Sequence, residues 1–354
     1  MAIQNINYSD GSTYYGEVNE NGVPHGMGRR VWHGEWEGFS YEGRYKDGEF
    51  HGYGKYNYPD GGYYEGEYDM GKQTGKCVIF FGSGSPLNGA LYKGDIVDGQ
   101  WTGQGKITYA DGTSYEGGYL NGEWHGFGKR CYTDGGYYEG EYDMGKEIGT
   151  CTIVYGYNST LNGSVYQGEV ENSKWTEGKI TYADGSYYEG EFEDGFYSGD
   201  GYLSYPNGDF KDGSWHYSEQ LKESHFTGEA LLHLENGDVF AGEIDYDQLL
   251  FGTYTFANGD VYEGGFDEDG TASTEGTDPC TMKYADGSTY TGGWLGGKWN
   301  GEGTYTDKDG NEFYSPEWDD YFSSGKSTEE VVVTLVDGTK IVGKIEDGKF
   351  IPGD

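Results

Sequence analysis

The sequence predicts an all-β chain, an elongated, twisted, single-layer β-solenoid or ribbon of about 14 tandem β-hairpin repeats. Three observations predict it. Glycine and tyrosine are abundant together, 67 and 37 of 354 residues. A short motif recurs at near-constant spacing, which marks a repeat architecture. Each copy alternates aromatic and acidic residues with period two, the signature of a strand with one buried face.

Composition first removes the alternatives. Only 34% of the residues are hydrophobic, too few for a globular chain of this length to offset its conformational entropy. A net charge of −39 points towards disorder. The 18% aromatic content points away from it. With seven prolines against 67 glycines, short strands joined by tight turns fit best.

The repeats are explicit. Asp60–Lys72 and Asp134–Lys146 are identical, as are Lys106–Gly112 and Lys179–Gly185. Beneath them lies a shorter unit, aromatic-x-Gly-x-aromatic, seen in Tyr41–Tyr45, Tyr64–Tyr68, Tyr115–Tyr119, Tyr188–Phe192 and Tyr290–Trp294. Its central glycine falls at 16, 43, 66, 94, 117, 140, 168, 190, 213, 242, 264, 292 and 343, with a degenerate copy near Ser315. Longer intervals recur mostly every third repeat, where GSGSPLNGA (82–90) and GYNSTLNGS (156–164) replace a short turn. That phase puts the long loops on one edge, roughly 29 Å apart.

One unit can be read residue by residue. In Tyr-Glu-Gly-Glu-Tyr both rings and the glycine share one face, and both glutamates take the other. Asp47-Gly48 and Asn121-Gly122 are hairpin turns, because glycine readily supplies positive φ. The return strand carries Gly-x-Gly, as in Gly52–Gly54 and Gly126–Gly128. These glycines are expected to make room for rings of the neighbouring hairpin. One hairpin is marginal alone; stacked units bury each other's aromatic face. Fourteen would extend to on the order of 130 Å.

This pattern closely resembles the MORN (membrane occupation and recognition nexus) repeat, roughly Tyr-Glu-Gly-Glu-Trp, a turn glycine, then His-Gly-x-Gly. The resemblance spans Gly11 to Phe350. It divides the chain into a lead-in (1–10), repeats 1–12 (11–310, with repeat 9 disturbed by an insertion around Lys211–Trp215), and degenerate repeats 13–14 with a C-terminal cap (311–354). Repeat 13 departs at Tyr314–Trp318, and the last unit, Ile341–Ile345, is aliphatic. The resemblance implies a non-enzymatic scaffold for protein–protein interactions within a larger structural assembly. Cytoskeletal or ciliary structures, radial spokes among them, are the homes it implies; the alternative is a membrane- or phospholipid-associated tether.

Charge constrains the partners. With 62 acidic against 23 basic residues, phosphate backbones and anionic headgroups are repelled, so no nucleic acid is expected and a membrane is disfavoured. Protein partners with basic or amphipathic segments are expected, together with self-association. Residues 1–10 lack a basic start and an apolar run, so the expected location is cytoplasmic. No cofactor is expected and no catalytic constellation stands out. Cys77, Cys131, Cys151 and Cys280 form no CxxC pair and are expected as free thiols. His25, His51 and His125 share one repeat position and are read as packing on aromatic rings rather than as a metal ladder. The acidic turn Asp307–Glu312 fails the EF-hand spacing.

One row rises above the consensus: the aromatics just before the Gly-x-Gly region, Phe50, Trp101, Trp124, Trp175, Tyr197 and Trp299. Their ordinary reading is inter-hairpin packing. Exposed in a row, they would suit an extended peptide or a helix, since such residues dominate interface hot spots.

Overall fold

The computed structural model describes residues 2–274, 279–319, 330–346 and 349–353, almost all of them in antiparallel strands and their turns. Among them no helix is long and apolar enough to cross a membrane. Among the described residues the only helical element is a 3-10 turn, Gly34–Trp36. Two compact units, residues 1–183 and 184–354, divide the chain.

In the first unit β1 (Ala2–Asn7) pairs with β2 (Thr13–Val18), which pairs with β3 (Pro24–Val31), then β4 (Ser40–Lys46), then β5 (Glu49–Asn57). Each later strand joins the one before it, up to Lys174–Thr181. Residues 1–10, read as a lead-in, thus contain an edge strand. The second unit follows the same order from Tyr187–Glu193 to Lys349–Pro352. There Ser315 takes the glycine place opposite Gly303, fully buried. Residues 320–329, 347–348 and 354 of the 311–354 segment lie outside the described residues.

The hairpin of β4 and β5 shows why this sequence folds so. Burial along Ser40–Lys46 alternates strictly, with Tyr41, Gly43 and Tyr45 inside and Glu42 and Arg44 outside. Asp47 and Gly48 both have positive φ, 49° and 92°, the primed turn whose twist matches the strands. Gly43 faces Gly54 while Tyr45 faces Phe50, so the return strand bulges against Arg44. The same shift recurs through most hairpins, for example at Gly66/Glu67, Gly94/Asp95 and Gly140/Glu141.

The ring over the glycine pair comes from its own hairpin, not from the neighbour as the sequence suggested. A Cβ on Gly54 would lie 2.3 Å from the Tyr41 hydroxyl, and one on Gly43 would lie 2.5 Å from the Gly54 Cα. The reason is the bulge. It takes Arg44 out of the ladder with β5, and the Tyr41 hydroxyl donates to the Arg44 carbonyl at 2.9 Å. A buried carbonyl needs a partner, and a tyrosine three residues earlier supplies one without leaving its strand. Among the described residues ten hairpins carry this bond, at 2.6–3.1 Å.

The ninth repeat is the informative exception. Its strands, Phe210–Ser218 and Glu223–His233, pair without any register shift. With no bulge there is no carbonyl to satisfy. Lys211 stands where the tyrosine would be, and Phe226 from the return strand covers Gly213 and Gly228. The added residues lengthen this hairpin.

Candidate functional site

Most hairpins bring a second ring that meets the preceding unit edge-on. Tyr45 packs against Tyr41 of its own hairpin and against Tyr14 of the one before, both at 5.1 Å with planes near perpendicular. Tyr68 does the same to Tyr64 and Tyr41, and Tyr142 to Tyr138 and Tyr115. Edge-to-face pairs of this kind contribute about 0.5–1.5 kcal/mol beyond their buried area. The ladder is interrupted where the second ring is aliphatic: Ile96, Val170 and Ile244, each 74 positions after the last.

The six aromatics singled out in the sequence form a third set. Each stacks flat on the glycine-covering tyrosine: Phe50 on Tyr41 at 3.8 Å, Trp101 on Tyr92 at 4.4 Å, Trp124 on Tyr115 at 4.3 Å. Trp175 lies on Tyr166 at 4.5 Å, Tyr197 on Tyr188 at 3.8 Å and Trp299 on Tyr290 at 4.0 Å. One face of every ring is therefore spent on packing. Five of the six stay half-buried. Trp299 does not: Trp318 closes on it at 5.4 Å, leaving it 3% exposed, and its indole donates to the Tyr284 hydroxyl. It leaves the row as a contact residue.

Sequence reasoning missed a parallel row along the loop edge. Tyr58, Phe81, Tyr109, Tyr132 and Tyr155 each sit just beyond the end of a return strand, opening the turn to the next hairpin. Tyr58 and Tyr132 are 37% and 36% exposed. The signal was present in the repeated Tyr-x-Asp-Gly, which reads only as a turn. Its Asp does hold the turn: Asp60 Oδ1 accepts the Gly62 amide at 2.9 Å.

Between the two rows runs a groove over Phe50 to Trp101. Phe50, Tyr56, Tyr58, Tyr68 and Gln73 line one part of about 550 Å³. Tyr58, Asp60, Ile79, Phe81 and Trp101 line an adjoining cleft of about 370 Å³. Further along, the half-buried Glu147 lies among the rings of Tyr132, Tyr138, Tyr142 and Tyr155 and helps to raise their phenol pKa values. No basic side chain pairs with it among the described residues.

The opposite face is ionic. Lys55–Glu65, Lys106–Glu116 and Lys129–Glu139 bridge successive hairpins at 2.9–3.3 Å, each worth about 0.2–1 kcal/mol at such exposure. The three equivalent histidines do not pack on rings as expected. His25, His51 and His125 turn to Asp47, Asp69 and Asp143 at 3.3–3.4 Å, because a neighbouring turn brings its carboxylate to the imidazole edge. Among the described residues no three metal-ligating side chains converge. All four cysteines are free. Burial pushes the Cys77 and Cys151 thiols up to about 12, so they stay protonated and unreactive at neutral pH.

The hydroxyl role is directly testable. Tyr115→Phe is expected to cost about 1–3 kcal/mol by leaving the Gly118 carbonyl unpaired, read by urea denaturation. Phe240 occupies the same place without a hydroxyl, so the ring alone fits. A loss below the error of the measurement would remove the bond's role.

This geometry defines a class: an antiparallel β-hairpin repeat protein whose units are closed by a tyrosine laid over a glycine pair. Eight segments match the MORN repeat family, residues 14–37, 41–63, 64–85, 92–114, 115–137, 188–210, 251–261 and 290–312. The chain is a MORN-repeat protein. No curated protein matches it significantly. Among solved structures it is similar to the TCP domain of SAS-4 (dCPAP) of Drosophila melanogaster, solved with a proline-rich motif of Ana2 (dSTIL). Identity there is 20% over 45% of this chain and 82% of that one, with a TM-score of 0.29. The wild-type TCP10 domain of Danio rerio CPAP is 13% identical over 70% of this chain and 99% of that one, with a TM-score of 0.26. Scores this low carry no functional argument.

Proposed function

We propose that the protein is a non-catalytic scaffold whose ring face binds a basic or amphipathic segment of a partner protein within a larger assembly. One observation carries this reading: two half-open aromatic rows flank a groove that contains the Asp60 carboxylate and the Lys72–Asp98 ion pair, in a chain of net charge −39. Rings with one face held by packing are pre-ordered, so a partner meets them at little entropic cost. The acidic surroundings steer a cationic segment and slow an anionic one. A cytoskeletal or ciliary assembly is the setting this reading favours, since repeated hairpins offer a partner the same contact at regular intervals.

Cross-linking in a native extract followed by mass spectrometry tests it. Tyr58→Ser combined with Tyr132→Ser removes exposed rings while leaving the stacked pairs intact. Capture of basic or amphipathic segments is expected to fall at least several-fold in that variant, which keeps the β-fold but melts lower because both rings also pack on neighbours. It should also weaken as salt rises, because exposed charges are screened beyond about 8–10 Å. Undiminished capture by the variant would exclude the groove as the binding face.

A further inference from the structure

Two hairpins of the first unit carry an arginine on the ring face. Arg30 lies opposite Tyr14, and Arg130 lies opposite Tyr115. Their surroundings are alike. The Arg30 guanidinium sits 4.3 Å from the Tyr8 ring centre and 4.9 Å from that of Trp32. It also donates to Asp10 at 2.7 Å and to the Ser12 hydroxyl at 2.9 Å. Arg130 rests over Tyr132 at 4.9 Å and Trp124 at 5.4 Å. The protein thus twice builds a guanidinium seat from ring-face aromatics, each with at least one loop-edge ring and one of them with a turn carboxylate.

In the hairpin of Tyr63–Asp69 and Lys72–Phe80 the seat is present but its occupant is not. Ile79 takes the arginine position, opposite Tyr64. Tyr58 and Asp60 stand where Tyr8 and Asp10 stand for Arg30, and Phe81 stands where Trp32 does. Two further positions are reduced here: Gln73 where other hairpins stack Phe or Trp, and Ile96 where the ring ladder breaks. The result is the cleft of about 370 Å³ lined by Tyr58, Asp60, Ile79, Phe81 and Trp101. Asp60 keeps acceptor capacity beyond the Gly62 and Gly84 amides that it holds at 2.9 and 3.1 Å.

We propose that this cleft is a docking site for an arginine side chain of the partner. The inference rests on the scaffold reading above and names the chemistry of its ligand. A guanidinium is planar and weakly hydrated, so it can lie flat between rings while pairing with a carboxylate; an ammonium such as that of Lys211, which sits beside Trp215 and Phe226 and pairs with Asp247, cannot stack and is more strongly hydrated. The same three reduced positions recur 74 residues on as Glu147, Ile153 and Val170, beside Asp134. Six strands at ~4.8 Å separate the two places by about 29 Å. A partner would reach both with arginines about nine residues apart if extended, or about nineteen if helical.

The test uses the full chain and N-acetyl-arginine amide as probe, with N-acetyl-lysine amide as control, followed by NMR at the Trp101 indole N–H. A saturable shift with the arginine probe, several-fold weaker with the lysine probe, is expected. Ile79→Arg should abolish it, because the chain then fills the seat itself as Arg30 does. Asp60→Asn, which can still accept the Gly62 amide but carries no charge, should weaken it several-fold and serves if Ile79→Arg fails to fold. Equal responses to the two probes, or undiminished arginine binding in either folded variant, would overturn the proposal. Partner capture that survives Ile79→Arg but is lost in the Tyr58→Ser, Tyr132→Ser variant would sink the arginine site and leave the scaffold standing.

Discussion

Raising the pH from 10 towards 12 and beyond is expected to unfold the protein in a cooperative step, with tyrosinate absorbance and loss of β-signal rising together. Burial pushes the phenols of Tyr14 and Tyr115 up to about 12. It moves those of Tyr41, Tyr64, Tyr92 and Tyr138 upward as well, because each ring lies under its neighbours with its hydroxyl on a carbonyl. In the unfolded chain a phenol titrates near 10. Below 10 both states are protonated, and the full stability is present. Above it the unfolded chain releases protons that the folded chain keeps, so stability falls with pH until the folded phenols ionise. A phenolate there would lose its donor role and face a carbonyl. Independent titration of the tyrosines near 10, with the fold intact, would show that the rings are not buried as described.

Gly117→Val is expected to cost about 2–4 kcal/mol and to open its hairpin locally. A Cβ at this position would lie 2.4 Å from the Gly128 Cα, 2.7 Å from the Phe127 carbonyl oxygen and 2.8 Å from the Tyr115 hydroxyl. Two of these three neighbours are backbone in the paired strand, which cannot retreat without breaking the ladder. The tyrosine that closes the unit would be lifted as well. In a repeat protein, stability is carried by units and their interfaces, so the damage should centre on this hairpin and its neighbours. Native-state hydrogen exchange should show faster exchange across Ser114–Cys131, with distant hairpins much less affected. Unchanged protection would mean that the glycine pair is not the constraint described. By contrast, Gly126→Ala, with no atom within 4 Å of the added carbon but φ at 73°, should lose only about 1 kcal/mol through its backbone conformation.

Much of the molecule is legible in its sequence. Period-two alternation of rings and acids placed Tyr41, Gly43 and Tyr45 inside, and Asp47-Gly48 announced its own turn. The recurrence of the unit, which matches the MORN family, fixed the antiparallel order. The candidate site was only half legible. The stacked row from Phe50 to Tyr197 stood out because tryptophan is rare. The loop-edge row was hidden, since a tyrosine beside Asp-Gly reads as punctuation. Trp299 was misplaced because the ring that covers it, Trp318, belongs to a degenerate repeat whose consensus positions are lost, so its phase could not be read from the motif.

What the sequence determined by itself was the unit: which face each residue takes, where the chain turns, and that the units repeat. These follow from φ preferences and from the two-residue period of a strand, which are local. Tertiary structure decided what the rings do. Whether a tyrosine covers its own glycines or a neighbour's depends on a bulge and on the carbonyl it strands, and a bulge is a relation between two strands. The cleft at Ile79 likewise arises because Gln73, Ile79 and Ile96, not all on one strand, are small at the same place. No single strand carries that information.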